Sequence, residues 1–319
     1  MESKMEYIRA RDFSLQNTCV TIGKFDGVHV GHRLLLGRLA QEKQKNGGKS
    51  VVFTFSFHPG MFFDGGLKLI YTEEEKKAVL AGCGVDVLVA YPFTGETSAM
   101  EAEDFIKDIL AGQLNAKFIA VGEDNRFGHN RRGDAGMLAR HAEDFGYGLA
   151  VCERVHYAGE AVSSTRIREQ IEAGNMEEAA AMLGANYHVA GTVMHGRGLG
   201  RTLGFPTLNL VPPEEKLLPP NGVYMTKTIL PDGVFCGVTN VGVRPTFGEG
   251  NRAWVETCLL DYAGDCYGKH VRTEFLHFSR GERKFADAEQ LRRQVAKDKE
   301  NCRAYFAAGQ NNIKGAPKE

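Results

Sequence analysis

The sequence predicts an α/β protein with a parallel sheet and crossover helices, followed by a small antiparallel β-barrel that ends in a helix. Up to about residue 155, short apolar runs alternate with amphipathic helical stretches, as a parallel sheet requires. From residue 187 onward the helical period disappears, and short strand-like runs broken by turn residues replace it. A chain of 319 residues is also long enough for two domains.

The predicted first domain contains five strands with helices between them. The strands lie at 18–22, 50–55, 85–90, 117–121 and 149–153. The helices lie at about 30–45, 73–82, 101–112 and 134–145. Gly47, Gly82 and Gly146 stand where three of these helices should end, since glycine is the common residue just past a helix C-terminus.

The predicted second domain is a small antiparallel barrel. Its strands lie at 187–194, 223–230, 234–241, 253–260 and 271–278. A helix follows at about 286–305, with apolar residues at Leu291 and Val295. We expect this helix to pack on the barrel or to help close a ligand pocket.

A short helix over 175–184 marks the change of pattern, because Gly184 closes it and no helical period follows until the C-terminal helix. We therefore predict domains at 1–184 and 185–308. Residues 309–319 are polar and contain glycine and proline, which favours a mobile tail.

Composition excludes several classes of protein. Apolar residues make up 43% and charged residues 25%, as in ordinary globular proteins. The formal charge of -1 gives no general attraction to nucleic acid. No run of about 18 apolar residues occurs and the N-terminus lacks a signal-peptide core, so we expect a cytoplasmic protein. Seven scattered cysteines without a C-x-x-C pair are expected to be reduced thiols.

The segment 23–32, Gly-Lys-Phe-Asp-Gly-Val-His-Val-Gly-His, lies between the first predicted strand and helix. Glycines let a backbone approach a ligand, and a helix N-terminus offers unpaired N–H groups, so a phosphate chain is the natural ligand. His29 and His32 are three residues apart and can donate to the same phosphate oxygens. The alternatives are a surface histidine beside a core one, and a zinc site, although no third ligand stands nearby at a standard spacing.

Three further segments follow predicted strands, where ligands bind in parallel sheets. Segment 54–59 offers aromatic faces for a planar ring or simply fills the core. Segment 121–128 holds two carboxylates, an arginine and a phenylalanine, although a solvated loop could look the same. Segment 163–168 puts hydroxyls and two arginines at a helix start, either as helix caps or as a second phosphate clamp. Two clamps suit transfer at an internal phosphate, which needs alignment and charge neutralisation.

Two segments of the barrel carry side chains that could bind a ligand or catalyse a reaction. Segment 196–209 begins as a glycine-rich loop able to cradle phosphates and ends in Thr207 and Asn209, alternate residues that point the same way. Both are oxygen ligands suited to Mg²⁺, and a long turn is the alternative. Glu256 is either a residue on the solvent-exposed face of its strand or a general base for an attacking hydroxyl.

These motifs resemble those of the bacterial bifunctional riboflavin kinase/FAD synthetases. G-x-F-D-G-x-H-x-G-H at 23–32 is similar to the first signature of the H-x-G-H nucleotidyltransferases, and 122–128 and 163–168 match the later adenylyltransferase motifs in order. G-x-x-x-G-R-x-x-G-F-P-T-x-N at 196–209 is similar to the riboflavin kinase pattern. The resemblance covers about residues 15–305 and implies a Rossmann-like nucleotidyltransferase domain followed by a kinase barrel.

For the adenylyltransferase half, the resemblance implies that His29, His32 and Arg166 act on the reacting phosphates. The implied ATP site contains Gly23, Phe25, Gly31, Asp124, Ser164, Thr165 and Arg168. Phe57 and Phe127 are the implied flavin contacts. Two departures fall here, since Asn125 replaces the usual aromatic residue and Ser56-Phe57 replaces the usual Glu-Pro.

For the kinase half, the resemblance implies that Glu256 is the base and that Thr207 and Asn209 bind magnesium. The implied ATP site contains Gly196, Gly200, Arg201 and Gly204, and the implied flavin site contains Asn240, Arg280 and Leu291. Leu208 replaces the usual Ala, and Cys258 replaces a frequent His.

We therefore expect an enzyme that phosphorylates riboflavin to FMN with ATP, then joins FMN to AMP to give FAD and pyrophosphate, with Mg²⁺ in both steps. The expected partners are riboflavin, FMN and ATP, without nucleic acid or membrane, for a monomer or weak oligomer. Two alternatives stay open: a riboflavin kinase with an impaired adenylyltransferase domain, and a flavin- or nucleotide-sensing module that binds without turnover.

Overall fold

The computed structural model describes residues 5–56, 66–196, 198–246 and 250–313. The chain divides into two compact units, Met1–Arg166 and Ile167–Glu319, which are described separately below. The division falls inside the helix Ser164–Glu172. The domain boundary at 184/185 stays a prediction.

Six parallel strands form the sheet of the first unit, in the order β1-β4-β3-β2-β5-β6. They are β1 (Glu6–Ile8), β2 (Thr18–Ile22), β3 (Lys49–Phe55), β4 (Val87–Tyr91), β5 (Ala116–Gly122) and β6 (Gly148–Cys152). The five predicted strands are confirmed. The prediction missed β1, because three residues are too short to show a period.

The strand order places a crevice beside β2. From β2 the chain adds β3 and β4 on one side, then crosses to add β5 and β6 on the other. At such a switch point the loops after the two central strands separate, and ligands bind between them in α/β sheets. The segments after β2 and β5 therefore face the same crevice.

The helices of the first unit cover both faces of the sheet and bury two apolar clusters. They are α1 (Val30–Asn46), α2 (Glu73–Gly82), α3 (Gly95–Ser98), α4 (Ala102–Asp104), α5 (Ala135–Phe145) and α6 (Ser164–Glu172). α4 continues as a π-helix over Phe105–Gln113, in place of the regular helix predicted for 101–112. A two-strand hairpin, β7 (His156–Tyr157) with β8 (Glu160–Ala161), precedes α6 and was not predicted.

The second unit contains an antiparallel sheet of six strands in the order β10-β13-β12-β11-β14-β9. They are β9 (Tyr187–Thr192), β10 (Leu208–Leu210), β11 (Gly222–Leu230), β12 (Gly233–Thr246), β13 (Gly250–Leu259) and β14 (His270–Gly281). A bridge between Met194 and Asn209 joins the two ends of this order, so the sheet curls into a small barrel. The predicted barrel is confirmed, with the short β10 as an added strand.

Three helices accompany the barrel: α7 (Met176–Leu183), α8 (Leu199–Thr202) and α9 (Ala288–Ile313). α7 matches the predicted short helix and ends at Gly184 in a left-handed conformation. α9 extends past the predicted end near residue 305, into the stretch predicted as a tail.

A chain of buried hydroxyls crosses one face of the barrel sheet. The Thr239 hydroxyl lies 2.7 Å from that of Thr226 and 2.7 Å from that of Thr257, and Thr226 donates to the Gly237 carbonyl at 3.1 Å. Because side chains alternate along a strand, the residues beside Thr239 and Thr257, namely Asn240 and Glu256, face the opposite side. This alternation fixes which residues can build a site.

The connection from α1 to β3 contains a matched pair of glycines. Both Gly47 and Gly48 have positive φ, 73° and 94°. A Cβ on Gly48 would lie 2.2 Å from the Asn17 carbonyl oxygen, whereas a Cβ on Gly47 would meet nothing within 4 Å. We expect Gly47→Ala to cost about 1–3 kcal/mol through backbone strain, and Gly48→Ala clearly more because the backbone must also move. Chemical denaturation followed by circular dichroism measures both, and equal losses would contradict the steric argument.

Candidate active sites

The loop between β2 and α1 holds three residues in the left-handed region within four positions. Phe25, Gly27 and Val28 have φ of 51°, 87° and 42°. For a β-branched residue such as Val28 this conformation is a strong outlier, and burial of both Phe25 and Val28 in the core is what holds it. Strained backbone of this kind gathers at functional sites.

The two histidines of this loop are stacked. Their ring centroids lie 3.7 Å apart, and Phe25 stacks on the other face of His32 at 4.5 Å. His29 is the N-cap of α1, and its Nδ1 accepts the backbone N–H of His32 at 3.4 Å. Since Nδ1 is an acceptor, the proton of neutral His29 lies on Nε2, which is left to donate to a ligand.

Burial keeps both imidazoles neutral near pH 7. Desolvation lowers the pKa of His29 to about 4, and the Asp124 carboxylate only partly opposes this. Desolvation also lowers the pKa of His32 well below its usual value, and His29 and Lys76 add to the effect. The two rings are therefore hydrogen-bond donors without charge.

The loop after β5 reaches this pair from the other side of the crevice. Asp124, which acts electrostatically on His29, pairs with Arg154 at 3.1 Å. Asn125 donates its side-chain amide to the Ile22 carbonyl at 3.0 Å, which ties the loop to the end of β2. The Asn125 side chain thus forms a polar link between the loop after β5 and the end of β2.

Phe127 is held as a structural anchor. Its ring lies 5.5 Å from that of Phe105, and its backbone pairs with Gly133 in an antiparallel bridge. A Cβ on Gly133 would lie 2.5 Å from the Phe127 ring. Its predicted flavin contact remains a prediction, and Phe57, the other predicted flavin contact of this half, lies outside the described residues.

The start of α6 closes the same site. Ser163 accepts the backbone N–H of Arg166 at 3.3 Å and so caps the helix, while Ser164 donates its hydroxyl to the Asp26 carbonyl of the glycine loop at 2.8 Å. The Arg166 guanidinium donates to the carbonyls of Tyr157 and Glu160 at 2.8 and 3.0 Å. Arg166, predicted as a phosphate ligand, is thus hydrogen-bonded to the β7–β8 hairpin in this structure.

The remaining predicted residues of the adenylyltransferase half either shape the backbone and packing around the histidines or lie on α6. Gly23 continues β2 by donating to the Phe53 carbonyl at 3.1 Å, and a Cβ on Gly31 would press on the His29 ring at 3.2 Å. Phe25 is fully buried behind His32. Thr165 is exposed near the start of α6, and Arg168 lies further along that helix, past the division between the units.

In the barrel, three predicted residues form one cross-strand row. Asn209 of β10 pairs with Glu256 of β13, and Glu256 pairs in turn with Asn240 of β12. Directly opposite residues in an antiparallel sheet have Cβ atoms about 4.5–5.5 Å apart. The row therefore places one carboxylate between two amides on the same face.

This row lines a cavity of about 580 Å³. Its wall also includes Gly198, Gly200, Phe205, Thr207, Val223, Val238, Cys258, Arg280, Glu282, Arg283, Lys284, Phe285, Leu291, Val295 and Asp298. A second cavity of about 270 Å³ shares Gly198, Thr207 and Asn209 with the first and adds Arg201 and Tyr267, among others. The structure thus brings most of the predicted kinase residues together around two adjoining cavities.

Asn209 has the features of a ligand for a cation. It is 4% exposed, and its buried Oδ1 has no hydrogen-bond partner within the described part of the chain. The glycine-rich loop passes close above it, since a Cβ on Gly196 would lie 2.7 Å from the Asn209 amide, and one on Gly200 would lie 3.4 Å from the Thr207 hydroxyl. Gly204 closes a turn at φ 83° by donating to the Arg201 carbonyl.

Arg280 is fixed by a residue that the sequence analysis did not single out. Its guanidinium makes two bonds to the Asp298 carboxylate of α9, at 3.0 and 2.6 Å, and Gln294 donates to the same carboxylate at 2.8 Å. Asp298 is 2% exposed. The pair attaches α9 to β14, so that Leu291 and Val295 stand as one wall of the larger cavity.

The sequence analysis missed two residues of these sites, Arg154 and Asp298. Arg154 follows β6 by two residues, and the rule that ligands gather at the carboxyl ends of parallel strands could have found it. Asp298 carries no such signal, because a single acid on an amphipathic helix is normally a solvated residue.

The first unit is thus an α/β nucleotide-binding fold with a neutral histidine pair, and the second is a barrel with an acid beside a candidate metal site. Comparison with known proteins agrees with this division. A family model described as FAD synthetase matches residues 12–166, and one described as riboflavin kinase matches residues 183–306.

Curated relatives match along nearly the whole length. A bifunctional riboflavin kinase/FMN adenylyltransferase of Escherichia coli (strain K12) is 38% identical over 91% of this chain and 94% of its own. The proteins of the same description from Haemophilus influenzae and Listeria monocytogenes are 35% and 32% identical, covering 92% and 91% of this chain and 95% and 93% of their own. The chain belongs to the family of bifunctional riboflavin kinase/FMN adenylyltransferases.

A crystal structure described as a macrolide-efflux protein from Streptococcus pneumoniae is also similar, with a TM-score of 0.81 and 29% identity over 94% of this chain and 99% of its own. In the described ranges of the present chain, every helix is too short or too polar to cross a membrane.

The buried pair of Arg280 and Asp298 supports a prediction. We expect Asp298→Asn to cost about 3–5 kcal/mol of stability and to raise the KM for riboflavin, because the Arg280 charge loses its buried partner and α9 its attachment. Thermal denaturation and kinase kinetics measure the two effects. Glu289→Gln is the matched control, since Glu289 pairs with Arg293 on the exposed side of the same helix at 3.2 Å and should change stability by less than about 1 kcal/mol. Similar losses in both variants would contradict the assignment.

Proposed function

We propose that the chain performs two consecutive transfers. The barrel unit moves the terminal phosphate of ATP to the 5′-hydroxyl of riboflavin and forms FMN. The first unit then joins FMN to the AMP part of ATP, which forms FAD and releases pyrophosphate. Family membership and the match of both family models support both steps, and an adenylyltransferase domain that has lost activity is correspondingly disfavoured.

The observation that carries the kinase assignment is the row of Asn209, Glu256 and Asn240 on the wall of the larger cavity. In phosphoryl transfer the protein mainly has to align the attacking hydroxyl and neutralise charge. Glu256 takes the proton from the riboflavin hydroxyl as this oxygen attacks the terminal phosphorus, the bond to the β-phosphate oxygen breaks, and ADP leaves. Thr207 and Asn209 would hold Mg²⁺, which supplies positive charge to the phosphates when bound.

The two adjoining cavities match two substrates of different shape. The larger has an apolar wall from Leu291 and Val295 and suits the isoalloxazine ring, while the smaller borders Arg201 and Tyr267 and suits the nucleotide. Of the three residues that both cavities share, Thr207 and Asn209 would then lie where the terminal phosphate meets the riboflavin hydroxyl.

The adenylyltransferase step is supported by the neutral histidine pair at the start of α1. The FMN phosphate attacks the α-phosphorus of ATP, and the bond to the β-phosphate oxygen breaks. The Nε2–H of His29 and a ring N–H of His32 donate to oxygens on which charge builds up, without a covalent intermediate. Ser164 and Asp124 border this site and would contact ATP.

Small molecules, namely riboflavin, FMN and ATP, are the proposed partners, without a nucleic-acid partner, and the proposed state is a monomer or weak oligomer. All seven cysteines are free, which fits the reducing conditions of the cytoplasm.

The role of Glu256 is tested by Glu256→Gln. With riboflavin, ATP and Mg²⁺ this variant should form almost no FMN, because the amide cannot accept the proton, with a loss of about 100-fold or more. With FMN, ATP and Mg²⁺ it should form FAD at the normal rate. Chromatographic separation of the flavins measures both, and normal FMN formation would remove Glu256 as the base.

The role of His29 is tested by a pair of variants. His29→Ala should lower FAD formation by about 100- to 1,000-fold, the usual loss for one transition-state donor, and leave FMN formation unchanged. The substitution also removes the helix cap, so His29→Asn is the control: asparagine restores a cap and stability but should not restore the rate. Full recovery of FAD formation in His29→Asn would mean that His29 only caps the helix and does not stabilise the transition state.

A further inference from the structure

A lysine outside all of the motifs, Lys76, lies on a helix that packs against the histidine loop and acts electrostatically on His32. α2 packs against the glycine loop, since Val79 and Leu80 share an apolar cluster with Phe25 and Val28. Lys76 precedes these two α2 residues by three and four positions, so it lies on the same helix face. Because side chains on a helix lean toward its N-terminus, Lys76 extends beyond the apolar contact along the loop.

Hydrogen bonds hold the start of α2 in place against the loop. The Asp26 carboxylate accepts the backbone N–H groups of Ile70 at 3.1 Å and Tyr71 at 3.5 Å, immediately before α2. Thr72 and Glu75 then form a reciprocal cap at the first turn. The lysine that follows is therefore carried on a backbone fixed to the loop itself.

The Lys76 ammonium is a partly buried charge without a close counter-ion. In the part of the chain that the structure describes, no carboxylate oxygen lies within ion-pair distance of it and it makes no hydrogen bond. Burial lowers the pKa of Lys76, which Asp26 and Glu73 partly oppose from a distance, and the lysine in turn lowers the pKa of His32. Its charge therefore acts on His32.

The next residue shows the opposite arrangement. Lys77 bonds to Glu74 at 2.8 Å and Glu73 at 3.5 Å, and its ammonium lies 3.8 Å from the centre of the Tyr7 ring. Of these two adjacent lysines, Lys77 is paired with carboxylates and an aromatic ring of the protein, whereas Lys76 has no ion pair in the described residues.

A charge taken partly out of water without a counter-ion raises the energy of the protein, and an anion that arrives beside it recovers this energy. The histidines are neutral and cannot offset the charge of a triphosphate. We propose that Lys76 binds the β- and γ-phosphates of ATP beside His29 and His32 and holds them as they depart as pyrophosphate. Lys76 keeps its proton throughout, and charge passes to the pyrophosphate as the bond to the α-phosphorus breaks. This inference rests on the proposed adenylyltransferase activity.

The test compares Lys76→Met, Lys76→Arg and Lys77→Met in the full chain. For Lys76→Met we expect kcat/KM for ATP in FAD formation to fall by about 10- to 100-fold, the effect of one charged hydrogen bond, with an unchanged KM for FMN. In the reverse reaction, FAD plus pyrophosphate, the KM for pyrophosphate should rise by a similar factor. Lys76→Arg should recover most of the loss, and Lys77→Met should behave as the unaltered protein in both directions.

Riboflavin phosphorylation by the same samples, together with the melting temperature, reports whether Lys76→Met is folded. If it is not, Lys76→Gln, which removes the charge and keeps most of the side-chain length, takes its place: a pyrophosphate affinity measured by calorimetry that falls in Lys76→Gln but not in Lys77→Met supports the proposal, and equal affinities in the two variants overturn it. Unchanged ATP and pyrophosphate kinetics in folded Lys76→Met also overturn it. Failure of the unaltered protein to form FAD would instead remove the proposed adenylyltransferase function.

Discussion

The register between β10, β13 and β12 is the constraint on which the second unit depends. It places Asn209, Glu256 and Asn240 in one row on the cavity side, and the alternate residues Thr239 and Thr257 on the side of the hydroxyl chain. A slip of one residue would exchange the two sets, burying a carboxylate among hydroxyls. The hydrogen-bonded threonines therefore stabilise the one register in which the site exists.

The first unit depends in a similar way on desolvation. Burial raises the cost of charging His29 and His32, so the rings remain donors, while the fixed charges are left to residues at the rim such as Asp124 and Arg154. The strained loop that carries the histidines is held by Phe25 and Val28 in the core. Burial of this one loop therefore both holds its strained backbone in place and keeps its two histidines neutral.

Much of the fold could be predicted from sequence, because the periods of two and 3.6 are strong wherever an element is long. The elements missed, β1, β10 and the 156–161 hairpin, are only two or three residues per strand and depend on neighbours far away in sequence. The motifs also predicted which loops would meet. They could not predict what each side chain does there: the bonds from Arg166 to the hairpin, or from Asp298 to Arg280, depend on backbone positions that no local pattern records.

Thr207 and Asn209 belong to both cavities of the barrel. A change at either position therefore reshapes both cavities at once. Leu291 and Val295 of α9 line the larger cavity and Tyr267 lines the smaller, so a substitution at these outer positions alters one cavity at a time.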